Sequence, residues 1–187
     1  DGLRWLANEF DVPYPFDKLD IVLLPGFPYG GMEHAGAIFY REQALVFDHP
    51  PTAAERVRRS TLIYHELSHQ WFGNLVTAAS WEEIWLNEAF ATWLAAKAQD
   101  HFNPEWNSPL HARHWIDEAM ADDATLATRA IRSGPVRESS VADVFDSITY
   151  SKGASVLEML EQWLGTDNFR RGLAAYMQGQ RLSNATA

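Results

Sequence analysis

Tyr64-His65-Glu66-Leu67-Ser68-His69-Gln70 and, further on, Trp85-Leu86-Asn87-Glu88 decide how this chain reads. Two histidines four residues apart stand about 40° apart on one face of a helix, one turn above the other, so both imidazoles can reach one point. Glu66 follows the first histidine and can turn toward a water on the open side of that point. Eighteen residues separate His69 from Glu88, room for a second helix to bring a carboxylate as third ligand. Two neutral imidazoles and one carboxylate would leave a zinc(II) site with net positive charge and a free fourth position. That arrangement lowers the pKa of bound water to about 7. The reading is one Zn2+ per chain on His65, His69 and Glu88, with Glu66 as general base.

Chance is a poor rival. At this chain's His and Glu content, His-Glu-x-x-His arises in roughly 2% of such chains, and a carboxylate at one fixed later position is about tenfold rarer still. The segment is also apolar, through Leu62, Ile63, Leu67, Trp71 and Phe72. Burying two histidines and a glutamate there without partners would be costly.

Outward from this stretch, Ala54, Val57, Thr61, Tyr64 and Leu67 run at helical spacing from Thr52 into the histidines, and Gly73-Asn74 predicts the end of that helix. A second helix is expected over Trp81 to Gln99, carrying Glu88 among Trp85, Leu86, Phe90, Trp93 and Leu94. Upstream, Leu3, Leu6, Ala7 and Phe10 share one helical side, and Pro13, Pro15 and Asp17 punctuate its exit. Ile21 to Leu24 reads as a buried strand stopped by Pro25-Gly26, Ala37 to Tyr40 as a second, and Ala44 to Phe47 as a third. Downstream, helices are expected over Leu110 to Met120, Ser155 to Leu164 and Phe169 to Met177. Ser133-Gly134-Pro135 marks a break, and Val141 to Phe145 one short turn. The expectation is an α+β fold, a small β layer followed by mostly α-helices. It forms one domain over 1–187, without repeats or internal linker.

A chain of 187 residues that is 47% hydrophobic and 13% aromatic can bury one substantial core. Its net charge of −10 disfavours nucleic acid and anionic lipid as partners. No window approaches eighteen uninterrupted apolar residues, so no membrane span is expected. Without cysteine there is no disulfide, thiolate ligand or thiol nucleophile. That composition suits a soluble protein, cytoplasmic or exported alike. Asp1 to Leu6 reads as the middle or end of a helix, with neither an initiator Met nor a signal-like stretch. The expectation is a domain excised from a larger protein, with a trimmed leader as the competing explanation.

His65-Glu66-x-x-His69 with Glu88 resembles the gluzincin pattern. Gln70-Trp71-Phe72-Gly73-Asn74-Leu75-Val76-Thr77 and Trp85-Leu86-Asn87-Glu88-Ala89-Phe90-Ala91 are similar to the M1 aminopeptidase family in particular. Gly30-Gly31-Met32-Glu33-His34 resembles that family's substrate-anchoring Gly-x-Met-Glu-Asn loop. Phe145-Asp146-x-Ile148-x-Tyr150-x-Lys152-Gly153-Ala154 resembles the segment carrying its catalytic tyrosine. The resemblance implies a thermolysin-like catalytic domain that removes N-terminal residues from peptides with a free N-terminus. It implies zinc on His65, His69 and Glu88, and Glu66 as base. Glu33 would bind the substrate's α-ammonium, Tyr150 would stabilise the oxyanion, and the Gly30-Gly31 backbone would pair with the peptide beside Met32. Physical chemistry is consistent with each role. A carboxylate beside a metal water can take its proton and pass it to the leaving amine. A phenol can donate to the oxygen where charge develops. Adjacent glycines admit a substrate strand close to the main chain.

The chain departs from the family pattern at His34, where Asn is usual. Imidazole titrates near pH 6.5, so a protonated His34 beside zinc and the substrate amine would repel both and reduce activity in acid. Family members also place a β-rich domain before this one and a helical domain after it, so flanking domains of the parent chain are expected partners. Plainer readings stand beside these roles. Tyr150 alone could be a packed core tyrosine, and Glu33 alone a loop carboxylate. Lys152 reads as structural, His111 and His114 as a solvated face, and His49 and His101 carry no signal. Two other functional classes use the same residues: another hydrolase on this scaffold, endopeptidase or epoxide hydrolase, and a non-catalytic interaction module with a structural metal. Structural zinc prefers four ligands, often cysteines, whereas three ligands and no cysteine are found here.

Overall fold

The computed structural model describes the backbone of residues 1–187 and every side chain except those of Ser108, Pro109 and His111. Helix α1 (Gly2–Phe10) buries Leu6 and Phe10, four residues apart on one face. It is followed by a three-stranded sheet of β1 (Asp20–Leu24), β2 (Gly31–Met32) and β3 (Ala37–Arg41), in the order β1-β3-β2. β1 runs parallel to β3 and β2 antiparallel to it. The period-2 alternation of β3 turns Ile38 and Tyr40 fully inward.

The expected third strand at Ala44 to Phe47 is instead the end of a single helical turn, α2 (Glu42–Leu45), closed by Val46 N–H donating to Glu42 C=O at 2.8 Å. A four-residue apolar run does not distinguish the two periods. β3 is the central strand, so a segment leaving it finds both its edges taken.

Helix α3 (Ala53–Ser68) starts at a reciprocal cap that satisfies two backbone donors. Thr52 Oγ1 accepts from Glu55 N–H at 3.3 Å, and Glu55 Oε2 accepts from Thr52 N–H at 2.8 Å. The helix ends at Ser68, about one turn before the expected Gly73-Asn74. Turns through Gln70 to Phe72 then lead to Gly73, whose φ of 127° favours glycine. Beyond it, β4 (Val76–Ala78) pairs in parallel with the C-terminal β5 (Ser183–Ala185).

After a 3₁₀ turn at Trp81–Glu83 comes α4 (Trp85–Phe102). Leu86 to Ala91 are buried without interruption, as are Trp93, Leu94, Ala95, Ala98 and Gln99. A helix apolar nearly all round belongs in the interior. α3 packs on it through stitches such as Gln99 Nε2 to Val57 C=O at 3.0 Å and to Ser60 Oγ at 2.8 Å. Phe72 stacks on Phe90 with centroids 4.1 Å apart, and Trp71 Nε1 donates to Val12 C=O at 3.1 Å. Such buried aromatics combine large apolar area with satisfied polar edges.

The chain continues through α5 (Ser108–Asp123), an irregular stretch with a 3₁₀ segment at Glu138–Val144, and a π-helical turn at Ile148–Lys152. That turn runs directly into α6 (Gly153–Leu164), and Gly165 (φ 82°) separates α6 from α7 (Thr166–Gly179). The whole is a mixed α+β fold, mostly helical with two small sheets. Among the described residues, no helix is long and apolar enough to cross a membrane.

Candidate active site

Helix α3 delivers His65 and His69 from consecutive turns, and the first turn of α4 delivers Glu88. His65 Nε2 and His69 Nε2 lie 3.0 Å apart, and Glu88 Oε2 is 3.3 Å from each. Zinc bonds of about 2.0–2.2 Å at tetrahedral angles would separate ligand atoms by about 3.3–3.5 Å, so this triangle fits one such ion. The three atoms could hold one metal ion between them. His69 Nδ1 lies 2.8 Å from the Phe72 carbonyl, which can only accept. Nδ1 therefore carries a proton, which leaves Nε2 as the ring nitrogen facing the shared point. His65 Nδ1 faces Thr92 Oγ1 at 3.5 Å, one turn along α4 from Glu88.

Glu66 is 5% exposed and lies against β2. It groups with Glu33 and His69, their ligand atoms all within 4.8 Å of one another. Three carboxylates thus surround two imidazoles. Burial pushes the Glu66 carboxyl up to about 8, opposed by His69 and reinforced by Glu33 and Glu88. Although burial alone would lower it, His69 is pushed up to about 10 by Glu88, Glu33 and Glu66. Burial would raise Glu88, yet His69 and His65 hold it well below the ordinary carboxylate range. The net field favours positive charge, whether a metal ion or an ammonium group.

Tyr150 sits in the π-helical turn, its ring stacked on His65 with centroids 5.9 Å apart. Burial, then Glu88, raises its pKa, so the phenol keeps its proton and can donate. Single π turns recur at functional sites, and this one is braced. Arg129 donates to Asp146 Oδ2 at 3.1 Å and Thr149 Oγ1 at 2.7 Å, and Asp146 C=O accepts from Tyr150 N–H at 3.1 Å. Behind it, Gly153 packs so tightly on Ala89 that a Cβ would come within 2.6 Å of the Ala89 Cβ.

His65, Glu66, His69, Glu88 and Tyr150 line one cleft of about 2460 Å³, together with Gly30, Gly31, Met32 and Glu33. His34 is not brought there. Its exposed ring packs on Phe39 at 4.7 Å between centroids, and it is not among the residues lining that cleft. Lys152 pairs with Asp123 at 2.6 Å, and His114 is exposed beside Glu118, while the His111 side chain lies outside the described residues. His49 contacts Asp48 and Glu55, and His101 stacks on Trp5.

Sequence reasoning assigned no role to Gln70, Asn74 or Arg129. Gln70 and Asn74 stood in a quoted motif, but they act on a loop 37 and 41 residues away, and no local spacing signals that contact.

A helix-borne His-Glu-x-x-His with a glutamate from a second helix defines the donor set of a metallopeptidase class. The chain belongs to peptidase family M1, since the Peptidase family M1 domain matches residues 1–187. It is 40% identical over 186 residues to "Probable aminopeptidase 1" of Saccharolobus solfataricus, covering 98% of this chain and 24% of that protein. It is 42% identical over 177 residues to "Aminopeptidase M1-A" of Oryza sativa subsp. japonica, covering 94% and 20%. With "Aminopeptidase N" of Rattus norvegicus the identity is 42% over 188 residues, covering 97% and 19%. The chain thus spans only about a fifth to a quarter of the length of these relatives.

Proposed function

We propose that residues 1–187 form the thermolysin-like catalytic domain of a zinc aminopeptidase. It would remove N-terminal residues from peptides and work with flanking domains of its parent chain. The observation that carries this reading is the convergence of His65, His69 and Glu88 within 3.3 Å of one another beside the buried Glu66. His65, His69 and Glu88 would hold the zinc. When bound, zinc supplies Lewis acidity, acidifying water and polarising the scissile carbonyl.

This chain's own residues supply the rest. Glu66 takes a proton from the attacking water and delivers it to the departing amine. Tyr150, kept protonated, donates to the carbonyl oxygen as negative charge develops there. Glu33 pairs with the free α-ammonium and selects the chain end. The Gly30-Gly31 backbone, at the start of the short edge strand β2, accepts the substrate in extended form. The names of the relatives support an aminopeptidase over other hydrolases.

The test is metal analysis of the full-length protein with free and N-acetylated aminoacyl substrates, alongside Glu66→Gln. One zinc per chain, cleavage of free substrates alone, and a Glu66→Gln protein that keeps zinc while kcat drops by about 10²–10⁴ are expected. Equal cleavage of acetylated substrates would make it an endopeptidase. Zinc without turnover in the unaltered protein would make it a non-catalytic module.

A further inference from the structure

The Gln70 and Asn74 side chains lie beyond the end of α3, where they meet the turn that follows β2. Gln70 is fully buried, and both ends of its amide are used on that one turn. Its Nε2 donates to Glu33 C=O at 3.1 Å, and its Oε1 accepts from Gly36 N–H at 3.0 Å. Asn74 Nδ2 donates to the same Glu33 carbonyl at 2.6 Å. Two N–H groups thus occupy both lone pairs of one carbonyl oxygen. The turn is tight on its other side as well, since Gly36 has φ +68° and a Cβ there would lie 3.0 Å from the Lys18 carbonyl.

We propose that Gln70 and Asn74 are positioning residues that set the Glu33 carboxylate at a fixed distance from the metal donors, and so determine recognition of the substrate's free amine. The inference rests on the reading of Glu33 as amine anchor. Its physical basis is connectivity: Gln70 is covalently joined to His69, so the clamp on the anchor and a metal donor share one backbone. An exopeptidase needs that rigidity, because the ammonium group and the scissile carbonyl of its substrate are one residue apart.

The experiment uses the full-length zinc enzyme with Asn74→Ala and Gln70→Glu, each alone and combined with Glu33→Ala. Gln70→Glu keeps the acceptor for Gly36 and, read at a pH where the new carboxyl is ionised, removes the donor to Glu33. The readout is the ratio of inhibition constants for an amino-acid hydroxamate and its des-amino counterpart, with KM, kcat, zinc content and Tm alongside. Each single variant should lower the preference for the amine-bearing compound by about 3- to 10-fold, with KM rising more than kcat falls. Neither should lower it further once Glu33 is Ala, because the effect runs through that carboxylate. An unchanged preference in both variants, while Glu33→Ala abolishes it, overturns the clamp and leaves the anchor standing. An equal loss with and without Glu33 also overturns it, marking a merely structural role. An unchanged preference in Glu33→Ala overturns the anchor itself. If Gln70→Glu fails to fold, Asn74→Ala at its half-buried position decides alone.

Discussion

The backbone of Gly31 lies directly over the Glu66 side chain, so that a Cβ at Gly31 would come within 2.6 Å of Glu66 Cγ. No real pair of carbons tolerates that approach, and either β2 or the proposed base must move. A Cβ at the neighbouring Gly30 would meet only Leu62, at an ordinary 3.4 Å. Gly31→Ala should therefore lower kcat by at least about tenfold, since small misplacement of a reacting group has large kinetic effects. Gly30→Ala should be milder. Steady-state kinetics with zinc content as control checks the pair, and equal effects would contradict the asymmetry.

Tyr150→Phe should reduce kcat by about 10²–10³, the range for removing one donor to a developing oxyanion. KM and zinc content should change little, because the hydroxyl acts on charge that appears only in the transition state. A drop confined to KM would assign Tyr150 to substrate binding.

Arg129 holds the Tyr150 turn through Asp146 and Thr149, with its side chain three-quarters buried. Arg129→Met should destabilise the protein by roughly 1–3 kcal/mol, the range for hydrogen bonds to a charged group and for partners left unsatisfied. It should also lower kcat, since the turn that presents the phenol loosens. Denaturant melts beside kinetics separate the two effects, and full activity in the folded variant would show that Tyr150 is held by other contacts.

Glu55 stabilises the start of α3. The Thr52 N–H, then the Thr52 hydroxyl, hold its carboxyl down at about 2, with His49 adding to the effect. Its pKa is lowered on folding, so its contribution is complete above the unfolded value near 4.3 and is lost as pH falls toward about 2. Glu55→Gln should lower Tm at pH 7, and the two melting curves should converge as pH drops through that window. A gap that widens in acid would reverse the sign.

Removing the proposed zinc should lower Tm. A ligand at 100 times its Kd stabilises by about 2.7 kcal/mol, and each kcal/mol shifts Tm by roughly 2–4 °C at this size. A chelator should thus lower Tm by about 5–10 °C, and zinc should restore it. His65→Ala should show little chelator shift; an undiminished shift there would place the metal elsewhere.

The chain order of elements was legible wherever a helical run was long and its period clear, as for α3 and α6; the short strand β1 is present, but with Ile21 and Leu23 exposed rather than buried. The order was not legible at Ala44 to Phe47, where four apolar residues suit either period. β4 and β5 were hidden by length, each three residues long and separated by nearly the whole helical half of the chain. The π turn at Ile148–Lys152 carries no periodic mark of its own, although the motif around Tyr150 pointed to the right residues.

His65 and His69 were paired by the sequence alone, because helix geometry is local and four residues make one turn. Glu88 was nominated by its spacing from the histidines and a second expected helix, and Glu33 and Tyr150 by the likeness of their segments to family motifs, but no local period brings these residues together. Packing decided that: α4 against α3 for Glu88, Gly153 on Ala89 behind Tyr150, and the Gln70–Asn74 clamp for the Glu33 turn. His34 packs on Phe39. The physical reason is range. Periodicity records what a residue does to its neighbours within a turn, whereas this site is built from contacts across 23 to 85 residues that only a filled core can hold in register.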